Sequence, residues 1–170
     1  GRFVCITMSI VLVMLCAMFA TVYALTWKNV ETRSIEFLRT AVENPDRAER
    51  WAERGAPHPP YLLLEVDEAG EVEVLFSGGL SVEDPEELRD LAVRTVGKAE
   101  GILSEEHLRF SSRRSSGTRW LALGDISGEQ WAMEGMFQNF VLIALLSLGA
   151  FFLISILLAR WAVRPVEMAW

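Results

Sequence analysis

The sequence predicts an α+β protein in which two transmembrane helices flank a small extracytoplasmic domain with an antiparallel sheet. Residues 3–27 and 135–159 each form a 25-residue stretch without Asp, Glu, Lys or Arg, and about 20 apolar residues cross a bilayer core. The 109 residues between them, 28–136, suffice for one small domain. Within that segment, alternating apolar residues indicate strands, and apolar residues at helical spacing indicate helices.

Charge places this domain outside the cytoplasm. Residues 28–136 carry 13 Lys/Arg and 22 Asp/Glu, a net charge of −9, whereas the rest of the chain carries +2. Basic residues close to the membrane favour the cytoplasmic side, and Arg2, Arg160 and Arg164 all lie near the apolar stretches. We therefore expect a multi-pass protein of the bacterial inner membrane with both termini in the cytoplasm. An acidic surface repels phosphate, so no nucleic-acid partner is expected.

The length of the first apolar stretch argues against a cleaved secretory signal peptide. Such a peptide has an apolar region of about 7–15 residues before its cleavage site. The two cysteines, Cys5 and Cys16, both lie in this stretch. Eleven residues of helix separate them by about 16 Å, which is too far for a disulfide. The extracytoplasmic domain is therefore expected to depend on its hydrophobic core.

The first transmembrane helix is predicted to continue into the extracytoplasmic domain as far as residue 43. Apolar residues there fall on two adjoining faces, which suggests burial against its own domain and against a partner subunit. One face comprises Val30, Ser34, Phe37 and Ala41. The adjoining face comprises Ile35, Leu38 and Val42. Asn44-Pro45-Asp46 ends this helix, and a short polar helix is expected to follow to Arg54.

Two hairpins are predicted after this point. In the first, residues 61–67 place Leu62, Leu64 and Val66 on one face, and Val72, Val74 and Phe76 alternate with acidic residues on the return strand. In the second, strands 108–114 and 118–126 flank a Ser-Ser-Gly turn.

A helix between the hairpins is predicted from its start. Asp84 is a suitable N-cap, Pro85 suits the first helical position, and Glu87 completes the capping-box spacing. Its buried face is predicted to comprise Leu88, Leu91, Ala92, Val96 and Ala99. A last helix begins near Ser127 and enters the second apolar stretch, so the predicted order is helix, two strands, helix, two strands, helix.

This arrangement resembles the PAS-like, or Cache-like, extracytoplasmic domain of sensor histidine kinases. Leu-Arg-Phe at 108–110, followed by Trp-Leu-Ala-Leu-Gly-Asp-Ile-Ser at 120–127, is similar to the closing hairpin of one group of these kinases. Arg-Pro-Val-Glu-Met-Ala-Trp at 164–170 is similar to the juncture where they leave the membrane. The resemblance implies transmembrane helix 1 at 1–27, a sensor domain at 28–136, transmembrane helix 2 at 137–159 and the start of a cytoplasmic linker at 160–170.

The resemblance also implies a function, namely signal sensing and transmembrane relay in a two-component system. In the family, a Ser-His-Glu-Leu-type segment with the phosphorylated His and an ATP-binding domain follow the juncture. ATP and Mg²⁺ would bind only there, and a response regulator would be the partner of that part. No catalytic residue, cofactor or metal ligand is expected within these 170 residues. The alternatives are a stand-alone membrane-tethered binding protein, and the sensor region of a chemoreceptor or a cyclic-nucleotide enzyme.

Three groups of residues are candidates for function. The first group is a stripe of small residues, which let helices approach closely in lipid. It comprises Cys16, Ala20 and Ala24 at i, i+4 and i+8 in the first span, with Ser147 and Ser155 in a looser stripe of the second span. These stripes suggest a homodimer surrounded by membrane lipid. Arg164 and Pro165 are the candidate relay, since proline removes a backbone donor and restricts the residue before it. The acidic residues Glu83, Asp84, Glu86 and Glu87 could bind a divalent cation, although negative charge at a helix start is favourable by itself.

Overall fold

The structure, a computed structural model, describes residues 2–163. These residues form four helices and five strands: α1 (Arg2–Glu43), α2 (Pro45–Glu53), β1 (Tyr61–Val66), β2 (Val72–Gly78), α3 (Pro85–Arg94), β3 (Glu100–Leu103), β4 (Leu108–Ser115), β5 (Thr118–Asp125) and α4 (Ser127–Val163). They divide into two compact units. One comprises residues 28–131 and is called the sheet domain below; the other comprises 2–27 and 132–163.

The sheet is antiparallel throughout, which confirms the predicted α+β class. Its strand order is β2-β1-β5-β4-β3, so the first and last strands of the domain are neighbours. Both predicted hairpins are present. Strand β3 is not predicted by the sequence pattern, because its four residues are too few for a recognisable alternation; it pairs with β4 through Ile102 and Arg109.

Both faces of the sheet are covered. Leu62 and Leu64 of β1 pack into one apolar cluster with Leu91 of α3. Tyr61 and Leu63 point to the opposite face and pack into a second cluster with α1 and α2. Successive strand residues alternate between faces, so a strand that is buried on both faces shows a continuous run of buried residues, as Tyr61–Leu64 does.

A β-bulge changes which side chains of β2 face the core. Leu63 pairs with Phe76 and Leu64 with Val74, so one residue of β2 is skipped. An extra residue in one strand reverses the alternation beyond it. Val72 therefore packs against the α3 cluster, whereas Phe76 lies against the ring of Tyr61 at 5.6 Å. The prediction that Val72, Val74 and Phe76 share one face was wrong for this reason.

Helix α3 ends at Arg94, which is earlier than the apolar spacing predicted. Val96 is exposed, and Gly97 has a φ of 76°, a left-handed conformation that ends regular helix. The guanidinium of Arg119 on β5 donates hydrogen bonds to the Thr95 hydroxyl (3.0 Å) and to the Ala92 carbonyl oxygen. Carbonyls at a helix end lack partners within the helix, so a cation from the sheet stabilises this end.

Helices α1 and α4 are both long and apolar enough to cross a membrane. The apolar part of α1 precedes the residues of this helix that are buried in the sheet domain, namely Ser34, Phe37, Leu38, Ala41 and Val42. The apolar part of α4 follows its first turns, which belong to the same domain. One uninterrupted helix therefore runs from each apolar stretch into the sheet domain.

Candidate functional site

The acidic residues proposed as a cation site surround the start of α3. Glu83, Asp84, Glu86 and Glu87 are all exposed. The Asp84 carboxylate accepts a hydrogen bond from the Glu86 backbone N–H at 2.9 Å, which is an N-cap interaction. Within residues 2–163, no group of three His, Cys, Asp or Glu side chains is placed to hold a metal ion. The capping prediction is confirmed, and the cation-site hypothesis gains no support.

The small-residue stripe of α1 takes no part in the aromatic contacts between α1 and α4. Within the unit formed by 2–27 and 132–163, Phe19 stacks on Phe140 with ring centroids 4.6 Å apart, and Tyr23 meets Phe137 edge-on at 6.4 Å. The stripe residues of α1, Cys16, Ala20 and Ala24, are exposed. The two serines of the looser stripe in α4, Ser147 and Ser155, are half-buried. The α1 stripe is therefore available to a helix from another chain.

The remaining residues singled out in the sequence have simple positions. Arg164 and Pro165, the candidate relay, lie outside the described residues. His58 is half-buried and stacks on Phe37 at 4.8 Å, at the edge of the cluster between α1 and the sheet. His107 is exposed in the turn before β4, with a φ of 53°.

Arg109 on β4 is the one charged residue that is buried among residues 2–163, with 6% of its surface exposed. Its neighbours Leu108 and Phe110 point into the α3 cluster, so alternation directs Arg109 to the opposite face, towards α1. Its closest carboxylate is that of Glu31 on α1, with 3.7 Å between Nη1 and Oε1. This separation exceeds hydrogen-bond length.

Two polar atoms beside this ion pair are buried without a hydrogen-bond partner. They are Nε of Arg109 and Oγ of Ser34, the latter on α1. An unsatisfied buried polar group typically costs about 1–3 kcal/mol, and more if it is charged. Buried polar groups are normally paired, so these two atoms set this part of the sheet domain apart from the apolar clusters around it.

Glu129, in the first turn of α4, completes the group. Burial raises the pKa of its carboxyl group above the ordinary value of 4.5, although the positive charge of Arg109 acts in the opposite direction. The negative charges of Glu31 and Asp125 raise this pKa further. We call Glu31, Ser34, Arg109, Asp125 and Glu129 the Arg109 cluster.

The Arg109 cluster draws on the two helices that lead to the apolar stretches. Glu31 lies four residues after Trp27, where the first stretch ends, and Glu129 lies six residues before Gly135, where the second begins. The cluster therefore combines side chains from α1, from the sheet and from α4 at the points where both helices leave the sheet domain.

The fold and this cluster define a class: an α+β domain joined to two helices that are long and apolar enough to span a membrane. No protein-family model, curated protein or solved structure matches this chain.

The raised pKa of Glu129 predicts a pH-dependent stability. Below the ordinary pKa of 4.5 the carboxyl group is protonated in the folded and the unfolded chain alike. As pH rises, the unfolded chain ionises first, so the folded state loses stability until pH passes the raised folded pKa. We expect Glu129→Gln to remove this loss and to raise the melting temperature at neutral pH by a few degrees.

Thermal unfolding of the detergent-solubilised chain between pH 4 and pH 8 tests this prediction. Glu53→Gln is the matched control, because Glu53 is exposed on α2. A Glu129→Gln variant whose melting temperature follows the wild-type pH profile would contradict the placement of this carboxyl group.

Exposure of the small-residue stripe predicts a cross-link at Cys16. If α1 packs against α1 of a second copy through this stripe, oxidation of a Cys5→Ser variant in membranes yields a covalent dimer through the remaining Cys16. Single cysteines moved to positions 13–24 should then cross-link with a period of about 3.6 residues. Uniform or absent cross-linking along this stretch would exclude the stripe as a dimer contact.

Proposed function

We propose that this chain is the signal-sensing and transmembrane relay part of a bacterial sensor histidine kinase of a two-component system. The sheet domain is its extracytoplasmic sensor, and both termini lie in the cytoplasm. Catalysis belongs to a phosphoacceptor segment and an ATP-binding domain downstream. A homodimer in the lipid bilayer is the signalling unit.

One observation carries this proposal: α1 and α4 each extend without a break from an apolar stretch into the sheet domain. A helix that only tethers a domain to the membrane can be joined to that domain by a flexible linker. Unbroken helices instead transmit a displacement along their whole length, because their hydrogen bonds are internal. Two such helices from one domain favour relay over tethering.

The sheet supports the PAS-like part of the proposal. A five-stranded antiparallel sheet with α1 and α2 on one face and α3 on the other is compatible with the resemblance carried by residues 108–110 and 120–127. The extracytoplasmic location of residues 28–136 is supported by a modest asymmetry of basic residues beside the apolar stretches: Arg2, Arg160 and Arg164 lie on the proposed cytoplasmic side, and Lys28 and Arg33 on the other side.

In the proposed mechanism, a stimulus favours one of two arrangements of the sheet domain. A ligand can shift such an equilibrium only as far as it binds one arrangement better than the other. The Arg109 cluster is where the two arrangements differ, because Arg109 can pair with Glu31 of α1 or with Glu129 of α4. A change of partner would move one helix relative to the sheet, and the helix carries that movement into its apolar stretch.

The coding sequence after Trp170 and the activity it encodes test the assignment. We expect a Ser-His-Glu-Leu-type segment and an ATP-binding domain, and transfer of phosphate from ATP to that His in membrane vesicles. Replacement of that His by Gln is the control and should abolish labelling. A stop codon within a few residues would instead indicate a tethered binding protein, and a chemoreceptor or cyclase domain would indicate another output.

A further inference from the structure

Helix α2 carries three arginines on one face. Arg47 and Arg50 lie within the helix and Arg54 caps its end, a spacing of three and four residues that places the side chains next to one another. All three are exposed, and together with Trp51 and Ala56 they line an open cavity of about 400 Å³. We call the three arginines the α2 basic cluster.

The protein does not balance the charge of this cluster. Within residues 2–163, none of its guanidinium groups lies within 4.0 Å of a carboxylate oxygen. The acidic side chains Asp46 and Glu49 of the same helix line a separate cavity between α2 and β2. Like charges at this helical spacing repel each other, so the fold keeps a local excess of positive charge in a domain that is acidic overall.

The helix dipole explains only part of this arrangement. A positive charge is favourable in the last turn of a helix and unfavourable in the first. Arg50 and Arg54 lie at the end of α2, where the dipole favours them, but Arg47 lies in its first turn. The dipole therefore gives no reason for Arg47 to stand beside the other two.

The chemistry of the cluster favours a phosphate group as its ligand. The parallel N–H donors of a guanidinium match pairs of phosphate oxygens. A tetrahedral phosphate accepts such donors from several directions, whereas a planar carboxylate has only two oxygens to share among three guanidinium groups. Trp51 is held by edge-on packing against Phe37, with ring centroids 5.6 Å apart, and forms an apolar wall beside the charges.

The position of the cluster favours the phosphate of a lipid headgroup. Phe37 lies seven residues before Asn44 and meets Trp51, seven residues after it, so α1 and α2 form an antiparallel pair. Arg54 therefore lies towards the end of α1 at Lys28, about 9 Å from it by helix rise. In the proposed function the membrane surface lies at this end, and an anionic surface attracts basic groups within about 10 Å at 0.1 M salt.

From these observations we propose that the α2 basic cluster binds a phosphate group, carried by an anionic phospholipid of the membrane that anchors the chain. Its guanidinium groups donate to the phosphate oxygens, and Trp51 packs beside the headgroup. The lipid source rests on the membrane orientation in the proposed function, whereas the phosphate chemistry rests on the cluster alone. Because α2 packs on α1, such a contact makes the position of α1 sensitive to lipid composition.

Two arms of one experiment distinguish a lipid from a soluble source, both on the full chain. In the lipid arm, melting of the chain is followed in phosphatidylcholine vesicles with and without phosphatidylglycerol. In the soluble arm, inorganic phosphate and glycerol 1-phosphate are titrated into the detergent-solubilised chain at constant ionic strength. We expect phosphatidylglycerol to raise the melting temperature by a few degrees, and glycerol 1-phosphate to bind more weakly than the lipid.

Charge-matched variants locate the effect. Arg47→Gln/Arg50→Gln should remove the gain from phosphatidylglycerol and weaken binding of glycerol 1-phosphate about tenfold or more. In phosphatidylcholine alone this variant should be as stable as the wild type, because Gln has nearly the helix propensity of Arg and a repulsion is lost. Arg113→Gln/Arg114→Gln, at exposed positions on β4, removes the same charge and should keep the gain.

The proposal is overturned if neither phosphatidylglycerol nor the soluble phosphates have an effect, or if both pairs of substitutions abolish the effect equally, since it would then follow overall charge. Equal destabilisation of Arg47→Gln/Arg50→Gln in both lipids would show a structural role and overturn it too. Binding of soluble phosphate without any effect of phosphatidylglycerol would overturn the lipid source. Phosphorylation of the downstream His is measured separately, so failure here and failure of the kinase assignment are distinguishable.

Discussion

The burial of Arg109 is the constraint on which this structure depends. Removing a guanidinium from water costs several kcal/mol, and attraction to a partner offsets this cost only when geometry is good and the other donors are satisfied. Here the ion pair with Glu31 is long and Nε has no acceptor. A pair of apolar residues would stabilise the same position better. The sheet domain thus keeps a destabilising charge where α1 crosses the sheet, and function is the simplest reason to keep it.

The surrounding fold explains how the charge can be kept. Tyr61 and Leu63 of β1 and Ala122 of β5 anchor α1 to the centre of the sheet through an apolar cluster that is nearly inaccessible to solvent. This packing holds α1 to the sheet beyond the Arg109 cluster, so the apolar contacts of α1 and its charged contacts occupy different parts of the helix. In the proposed function, that division suits a helix that relays a movement.

The sequence predicted the helices and hairpins well because their local patterns agree with the final packing. The N-cap at Asp84 and the alternation of Leu62, Leu64 and Val66 both depend on neighbours in the chain, and both are confirmed; the N-cap bond goes to the amide of Glu86 and not to that of Glu87, as a capping box would require. The bulge in β2 and the strand β3 depend on pairing with distant residues, which local patterns do not contain. The Arg109 site was missed for a related reason. In an alternating strand Leu-Arg-Phe places its Arg on the polar face, and only the packing of α1 over that face turns an exposed charge into a buried one.

The most direct test of this account measures whether Arg109 couples α1 to α4. Spin labels at exposed positions 33 and 128, introduced as Arg33→Cys and Gly128→Cys with Cys5→Ser and Cys16→Ser, report the distance between the two helices within the sheet domain. We predict one narrow distance distribution in the otherwise unchanged chain and in Arg113→Met. In Arg109→Met we predict a broader or displaced distribution, because Glu31 and Glu129 lose the cation between them. An identical distribution in Arg109→Met would show that apolar packing alone positions the two helices, and the proposed relay through this cluster would be wrong.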